Sequence, residues 1–523
     1  MTAQSADRNI QETSSLPLRL GSADDFARVE SLLKNACFDE PTILRTLKLD
    51  EMADLSGVEP NDQDLASYTT ELLSLLIRLF LFSESVQQRE VERLIDSPTL
   101  ASFRQLDILR LGTFDLNQRS AEQLYYSPVF LYPIVGLLIA SDRHNNPDNS
   151  VFTPPPDIVF PAINGGTLLF LKVISKSPAE NILDLCAGTG VAALLLSKHV
   201  RRAVTSDITA RATHFAKFNR MLNRCHNVEV SEGDLYDGVE GQTFDRIVAH
   251  PPYVPSLSHD TIYRDGGETG ETLVRRIIEG LPRFLRPGGT YYSLSIGLDT
   301  KEGKFEERAR QWLGAAQDEF DVIFAFADER SPRRFATERA VLTGSADASE
   351  IARWDEIFGS AGAHRLVYGA MVIHRRQNGA PLRLLTIRPR LSKEVDGSDF
   401  ERALRFHRWR RRPNAVQELA GAKPRLAPQL TVKVTYSVKD GTLVPGEHVL
   451  ESQRPFPLAT KVDPWIVPLM AELDGTRTPA ELYTAARDSS MLPEWFALSD
   501  FLDLVATLIE RGYVEVDDSI FAD

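Results

Sequence analysis

The feature that most constrains the fold of this chain is a regular alternation of strand-like and helix-like segments between about residues 146 and 392. Short runs of β-branched and aliphatic residues alternate with longer amphipathic stretches, which is typical of a parallel sheet wrapped by helices. We therefore predict an α/β domain with a seven-stranded, doubly wound, Rossmann-like sheet. The predicted strands are 181–185, 202–206, 228–231, 246–249, 290–296, 321–327 and 366–374.

The rest of the 523-residue chain is too long to be an extension of this one core, so we predict three domains. Residues 1–145 should form a helical, winged-helix-like N-terminal domain, because apolar residues recur there at helical spacing. Residues 146–392 form the α/β domain. Residues 393–523 should begin with an arginine-rich connector and continue as a small α+β, winged-helix-like C-terminal domain.

Charge and composition exclude several classes of protein. Lys and Arg total 59 against 73 for Asp and Glu, and the resulting net charge of −14 disfavours nucleic-acid binding by the chain as a whole. No apolar run approaches the roughly 20 residues of a membrane-spanning helix, and the polar N-terminus has no signal peptide pattern. The three cysteines are far apart and lack metal-ligand spacing. We expect a cytoplasmic protein with reduced thiols and no metal site.

The clearest local motif is an apolar strand that contains Asp184, followed by Cys186 and a tight turn with Gly188 and Gly190. Glycine lets the backbone approach a ligand closely, and the helix that follows offers free amide groups at its N-terminus. The glycine spacing also fits the dinucleotide-binding pattern, so this motif alone does not distinguish a nicotinamide cofactor from another nucleoside cofactor. A packing turn without a ligand is the other alternative.

Carboxylates follow the next two predicted strands. Asp207, with Ile208 after it, ends one strand, where a carboxylate can accept hydrogen bonds from ribose hydroxyls. Asp234, with Leu235 after it, follows the next strand, where it could accept a bond from an adenine amino group while Leu235 lies against the ring. These positions predict a nucleoside cofactor, although a plain surface turn would also account for Asp234.

The fourth strand ends in the turn His250–Tyr253, with the sequence His-Pro-Pro-Tyr. Together with Asp184–Gly190, Asp207 and Asp234, this turn resembles the S-adenosylmethionine-dependent methyltransferases that modify planar nitrogens, whose motif is Asn-Pro-Pro-Tyr or Asn-Pro-Pro-Phe. The glycine-rich segment 265–270 and the helix after it resemble the release-factor glutamine methyltransferases. The resemblance does not extend to the outer domains.

The resemblance implies S-adenosylmethionine as the cofactor and a nitrogen of a protein or peptide side chain as the methyl acceptor. The residues that it assigns to the acceptor are His250, Pro251, Pro252 and Tyr253. Those that it assigns to the cofactor are Asp184, Cys186, Gly188, Gly190, Asp207, Ile208, Asp234, Leu235 and His250.

Two residues depart from the pattern of the family, because Cys186 replaces a usual glycine and His250 replaces the asparagine. In the family the asparagine oxygen and the first proline's carbonyl accept the two N–H bonds of the target amide. A neutral imidazole can accept one such bond. It can also act as a general base toward a hydroxyl, thiol or amine, or it can simply shape the pocket.

The connector carries six arginines and a tryptophan within Arg402–Arg412. Such a run would suit phosphates and stacked bases, but it also fits a solvated helix that docks on an acidic protein. Two other functions therefore stay open: methylation of a nucleic-acid base or a small molecule, and a protein that senses cofactor while it binds nucleic acid or a partner. A nicotinamide oxidoreductase leaves the Pro-Pro-Tyr turn unexplained.

Overall fold

A computed structural model of the chain describes residues 16–58, 69–114, 122–146, 150–257, 262–342, 348–377, 384–492 and 494–521. In this part of the chain no helix is both long enough and apolar enough to cross a membrane.

In its described residues the N-terminal region contains five α-helices, a 3-10 helix (Met52–Gly57) and two small antiparallel sheets. The helices are α1 (Ala23–Asn35), α2 (Glu40–Leu47), α3 (Glu71–Phe80), α4 (Gln88–Leu94) and α5 (Ser97–Gln105). The strands are β1 (Val86–Gln87), β2 (Arg110–Phe114) and β3 (Glu122–Tyr126), in the order β1-β3-β2, and the hairpin β4 (Val129–Ile134) and β5 (Leu137–Asp142).

The central region alternates strands and helices as the sequence pattern predicts. Its helices are α6 (Gly165–Val173), α7 (Val191–Leu196), α8 (Ala210–Leu222), α9 (Thr272–Phe284), α10 (Phe305–Trp312), α11 (Pro332–Leu342) and α12 (Ala348–Ser360). Its strands are β6 (Ala179–Leu185), β7 (Val200–Asp207), β8 (Val228–Glu232), β9 (Phe244–Ala249), β10 (Leu285–Thr300), β11 (Phe320–Arg330), β12 (Ala363–Arg375) and β13 (Thr386–Ile387).

These eight strands form one sheet in the order β13-β11-β12-β10-β9-β6-β7-β8. β12 is antiparallel to both of its neighbours, and the other pairs are parallel. All seven predicted strands lie in this sheet, but the predicted count is one short. The additional strand is β13, whose two residues are too few to show a period-2 pattern.

The central sheet is buried on both faces, because side chains along each strand alternate between two hydrophobic cores. Ile182 of β6 joins the core on one face, which also contains residues of α8 and of the N-terminal helices. Phe26 of α1 packs edge-on against Phe218 of α8 there, with ring centroids 5.0 Å apart. The next residue, Leu183, joins the opposite core beneath α9 and α10. The N-terminal helices thus help to cover the sheet.

The C-terminal region has a core of its own, in which Trp409, Phe501 and Tyr513 are fully buried. Its helices are α13 (Gly397–Arg410), α14 (Ala415–Glu418), α15 (Ile466–Ala471), α16 (Pro479–Asp488) and α17 (Leu498–Glu510). Its strands are β14 (Arg425–Leu426), β15 (Thr431–Lys439), β16 (Thr442–Ser452), β17 (Leu458–Val462) and β18 (Val514–Glu515). The winged-helix assignment of both flanking regions, and the three domain boundaries, stay predictions.

Candidate active site

Several strand ends meet at one edge of the central sheet. β6, β7, β8 and β9 run parallel, so their carboxyl ends lie on the same side. Leu185 at the end of β6 is in register with Ser206 of β7 and with Ala249 of β9. The residues that follow these strands are therefore neighbours, at the edge where open α/β sheets bind their ligands.

The turn after β6 is held by Asp184, which is almost fully buried. Its carboxylate accepts a hydrogen bond from the Ala193 backbone N–H, at 3.0 Å, and so ties the strand to the first turn of α7. Cys186 has a φ of 53°, a left-handed conformation that is unfavourable for a residue with a side chain. The glycine that is usual in the family would adopt this conformation without that strain.

The two glycines of this turn face different surroundings. Gly190 has a φ of 77°, and a Cβ atom there would lie 3.2 Å from the Cβ of Ala216 on α8, so this glycine permits close helix packing. Gly188 has a φ of 53°, and in the described structure no atom lies within 4 Å of the position that its Cβ would take. Gly188 therefore leaves open space at the sheet edge, where a ligand can approach the backbone.

Asp207, the last residue of β7, reaches back to this turn. Its Oδ2 atom accepts a hydrogen bond from the Gly188 N–H at 2.9 Å, and its Oδ1 atom accepts one from the Thr209 N–H at 3.1 Å. The Thr209 hydroxyl also donates to Oδ1, at 3.4 Å, so Oδ2 is the oxygen with more capacity to accept a ribose hydroxyl. The neighbouring side chain of Ile208 is 55% exposed, so an apolar surface lies open beside the carboxylate.

The loop after β8 separates the two residues that were predicted to hold adenine. Asp234 accepts a hydrogen bond from Arg276 of α9 at 2.9 Å, and both side chains are partly exposed. Leu235 has a φ of 54° and is 7% exposed, within the core beneath α9 and α10. Asp234 is thus available to a ligand, whereas Leu235 contributes mainly to the core.

The Cys186 thiol lies where the acidic side chains converge. Burial raises its pKa well above the ordinary value, the carboxylates of Asp207, Asp184 and Asp234 raise the pKa further, and Arg276 lowers it. Burial also raises the pKa of Asp184 to about 7 and raises the pKa of Asp207. The thiol therefore stays protonated and is not a nucleophile.

The turn after β9 places His250 among aromatic rings. Its imidazole stacks on Phe170 of α6, with centroids 5.1 Å apart and planes inclined by 22°, and lies 5.6 Å from the ring of Tyr253. The Nε2 atom of His250 is buried and has no hydrogen-bond partner among the described residues. Burial lowers the pKa of His250 to about 4, so the ring is neutral at physiological pH.

Tyr253 is supported from two directions. Its ring lies 5.8 Å from that of Tyr368 on β12, and both hydroxyls come close to Gly166 at the start of α6. The glycine-rich segment 265–270 packs on its backbone, since a Cβ at Gly266 would lie 2.7 Å from the Tyr253 Cα. In this turn Pro251 is buried and Pro252 is partly buried. The close approach explains why the segment is rich in glycine.

Sequence reasoning missed three side chains that line this edge. Arg276 lies in the helix predicted after segment 265–270, Tyr368 lies in a predicted strand, and Phe170 lies in a helix that was not predicted; no local motif distinguishes any of them. Their role depends on the order of the strands and on the packing of α6 and α9.

The arginine-rich run lies on α13 and in the turn that follows it, where intramolecular ion pairs engage its side chains. Arg402 lies 3.7 Å from Glu515, Arg405 pairs with Asp518 at 3.2 Å, and Arg410 pairs with Asp503 at 2.7 Å. These contacts tie the helix to the C-terminal region. They favour the docking interpretation of the run, and nucleic-acid binding stays an untested prediction.

The described residues contain no group of three or more His, Cys, Asp and Glu side chains that could hold a metal ion. The described sheet has one antiparallel strand, β12, and a glycine turn with acidic side chains at the carboxyl edge of its parallel strands. The model of the family described as "Methyltransferase small domain" matches residues 159–296. The chain belongs to this family and is an S-adenosylmethionine-dependent methyltransferase.

Curated relatives of the chain include three glutamine methyltransferases. A Methanocaldococcus jannaschii protein, provisionally named a protein N5-glutamine methyltransferase, is 31% identical over 27% of this chain and 74% of its own length. The release factor glutamine methyltransferase of Clostridium acetobutylicum is 31% identical over 29% of this chain and 57% of its own. The ribosomal protein uL3 glutamine methyltransferase of Bradyrhizobium diazoefficiens is 29% identical over 28% of this chain and 51% of its own.

The match thus spans little more than half of the last two relatives, and the N- and C-terminal regions of this chain lie outside it. Among solved structures, a ribosomal protein L11 methylase from Lactobacillus delbrueckii subsp. bulgaricus aligns with 45% of this chain and 89% of its own at 15% identity. Its TM-score of 0.25 is too low to bear on function.

Proposed function

We propose that this enzyme methylates the side-chain amide nitrogen of a glutamine in a protein or peptide. The observation that carries the proposal is the buried Nε2 atom of His250, which has no hydrogen-bond partner in the described structure and adjoins the ring of Tyr253. A buried polar atom without a partner is costly, so a ligand that donates a hydrogen bond to it is favoured.

A glutamine amide fits this corner of the site. It is planar, so it can stack on Tyr253, and one of its N–H groups can donate to His250 Nε2. The family resemblance assigns the second acceptor to the backbone carbonyl of Pro251. Two such hydrogen bonds orient the nitrogen, and this orientation is the main contribution that the residues make to catalysis.

The cofactor end offers groups that can bind S-adenosylmethionine. Asp207 offers lone pairs to ribose hydroxyls, Ile208 offers an exposed apolar surface to a base, and Gly188 leaves space for close approach to the backbone. When bound, this cofactor supplies a methyl carbon on a sulfonium, and the sulfur keeps the electron pair of the bond that breaks.

His250 also lies where it can accept a proton. The amide nitrogen of the acceptor must release that proton when it forms a bond to the methyl carbon. A pKa of about 4 makes the imidazole a weak base toward an ordinary amine. It is sufficient for an amide nitrogen, because a methylated amide that still holds its extra proton is a strong acid. The low pKa therefore favours an amide acceptor over an alkylamine, because so weak a base cannot remove a proton from an alkylammonium group.

The names of the relatives agree with a protein acceptor, since they act on release factors and on a ribosomal protein. Such acceptors would place the reaction in the cytoplasm. Which protein carries the glutamine is decided by regions that lie outside the shared domain.

The test is a transfer of labelled methyl groups. The full chain is incubated with methyl-tritiated S-adenosylmethionine and an extract of cells that lack its gene, and the protein, RNA, DNA and small-molecule fractions are counted. We expect label in protein, and its release as volatile methylamine after acid hydrolysis, because hydrolysis of an N-methylated glutamine amide frees that amine.

The matched controls are the variants Asp207→Ala and His250→Ala, which should both abolish the label. Label in RNA, DNA or small molecules would contradict the proposal and favour one of the other acceptors. Protein label that is not released as methylamine would contradict the glutamine assignment alone.

A further inference from the structure

Two adjoining cavities lie between strand β17 and helix α17, far from the sheet edge described above. Their volumes are about 530 and 320 Å³, and Thr507 and Arg511 at the end of α17 line both of them. Leu458 lines the larger cavity and residues 460–463 line the smaller, so the two cavities follow one another along β17. This pair of cavities, here named the β17 cleft, is large enough for an extended peptide of several residues.

One wall of the β17 cleft is a strand with a free edge. β17 is the outer strand of the β15-β16-β17 sheet, and its residues pair with β16 from Leu458↔Ser452 to Val462↔His448. In the described part of the chain no strand pairs with the other edge. The unpaired N–H and C=O groups of an edge strand form a ready template for one more strand, and the five residues of β17 offer about 17 Å of it.

The larger cavity is rich in cations, although the whole chain has a net charge of −14. Four arginines and one glutamate are the charged groups that line it: Arg388, Arg390, Arg402, Arg511 and Glu510. The neighbouring imidazole of His407 is neutral at physiological pH, because burial lowers its pKa. Lys461 and Asp463 line the smaller cavity, and Lys461 pairs with Glu447.

The arginines differ in how far their charges are compensated. Arg388 is paired with Asp299 and Glu306, so its charge is satisfied. Arg402 lies 3.7 Å from Glu515, which also pairs with Arg425 at 3.2 Å, so that one carboxylate serves two guanidinium groups.

The other two arginines have more capacity for an incoming carboxylate. Arg390 lies over the ring of Phe326, with 5.7 Å from its central carbon to the ring centroid. Arg511 donates to the Thr460 hydroxyl at 3.1 Å. Neither forms an ion pair with a described carboxylate, and planar guanidinium groups bind carboxylates well.

We propose that the β17 cleft binds an extended peptide with acidic side chains, which adds to the free edge of β17 as a fourth strand. Backbone hydrogen bonds to β17 would supply affinity, and Arg390 and Arg511 would select acidic side chains at the larger cavity. Apolar side chains of the peptide would pack against Phe456 and Ile509, which also line this cavity. The inference does not depend on which group the enzyme methylates, and its test needs no methyl transfer.

The test uses the full chain and a fluorescein-labelled nonapeptide in which valine and glutamate alternate, with binding followed by fluorescence anisotropy. We expect saturable binding, and at least tenfold weaker binding of a counterpart with lysine in place of glutamate. Arg390→Glu and Arg511→Glu should each weaken binding about tenfold. Arg89→Glu, an exposed arginine on α4, is the matched control and should change nothing.

Backbone methylation of the peptide tests strand addition without altering the protein. One peptide is N-methylated at the valines and another at the glutamates, and only one of them should lose binding, because alternate N–H groups of a strand point to the same neighbour.

Three results would overturn the inference: no binding at about 1 mM peptide in low salt, equal binding of the lysine counterpart, or equal binding of both methylated peptides. A dimer in sedimentation that the acidic peptide does not dissociate would assign the edge to a second copy of the chain and would also overturn it.

Discussion

The proposed active site has a cofactor half, around Asp184 and Asp207, and an acceptor half, around His250 and Tyr253, and the two are built in different ways. In the cofactor half, Asp184 and Asp207 accept hydrogen bonds from backbone N–H groups of the turn and helix that follow β6. In the acceptor half, His250 and its neighbours are held by aromatic rings that come from α6 and β12. Local backbone geometry thus organises the first half, whereas packing between distant segments organises the second.

The halves also differ in electrostatics. Acidic side chains surround the Cys186 thiol in the cofactor half, and burial raises the pKa of Asp184 to about 7. The acceptor half is aromatic, and burial there lowers the pKa of His250 to about 4. The comparison indicates that binding of the cofactor and orientation of the acceptor can be disturbed separately.

The largest effect that is confined to one half of the site is expected from Asp207→Ala, on binding of the cofactor. The change removes the acceptor for the ribose hydroxyls and the hydrogen bond to Gly188, so affinity for S-adenosylhomocysteine should fall roughly 100-fold or more, the cost of two charge-assisted bonds. Titration calorimetry measures it. Asp24→Ala, at an exposed position in α1, is the control. Unchanged affinity in Asp207→Ala would remove Asp207 from the cofactor site.

The corresponding test of the acceptor half is His250→Ala beside His250→Asn. The alanine variant should lose about 100-fold in kcat while its affinity for S-adenosylhomocysteine is unchanged, because orientation is lost and the cofactor half is intact. The asparagine variant should stay within about tenfold of the parent, because its oxygen accepts the same N–H. If the asparagine variant is as slow as the alanine variant, with cofactor binding intact, acceptance of the released proton by His250 limits the rate more than orientation of the amide does.

At low pH, the dependence of kcat on pH should come from the acceptor half. Protonation of His250 removes the Nε2 acceptor, so kcat should fall as the pH falls through about 4 and not through the 6.5 of an ordinary histidine. Initial rates of methyl transfer, measured between pH 3.5 and 8, show this fall in kcat. The His250→Asn variant should not show it. A fall in kcat near pH 6.5 in the parent enzyme would mean that the imidazole of His250 is solvated during turnover.

The smallest effect is expected from Tyr368→Phe. The ring that supports Tyr253 is kept, and the hydroxyl that hydrogen-bonds with the Tyr253 side chain is removed, so kcat should fall about threefold with the affinity for the cofactor unchanged. Tyr368→Ala removes the ring as well and should be several times slower than the phenylalanine variant. Equal rates for both variants would show that Tyr368 does not position Tyr253.

The sequence by itself determined the parts that depend on local pattern. A strand that is buried on both faces appears in the sequence as a short run of β-branched and aliphatic residues, so the seven main strands could be predicted from neighbouring residues alone. The left-handed backbone at Gly188 and Gly190 is likewise a local requirement, and Asp207 is identified by its place at the end of a strand. These features account for the α/β fold class and for the proposed cofactor half of the site.

Only the tertiary structure decided what depends on contacts between distant segments. Phe170, His250 and Tyr368 meet because the sheet order brings β9, β10 and β12 together and because α6 packs nearby. The pairing of the arginines on α13 with carboxylates more than 90 positions away has the same origin. Such contacts follow from the packing of whole elements, and no period or motif within one element records them.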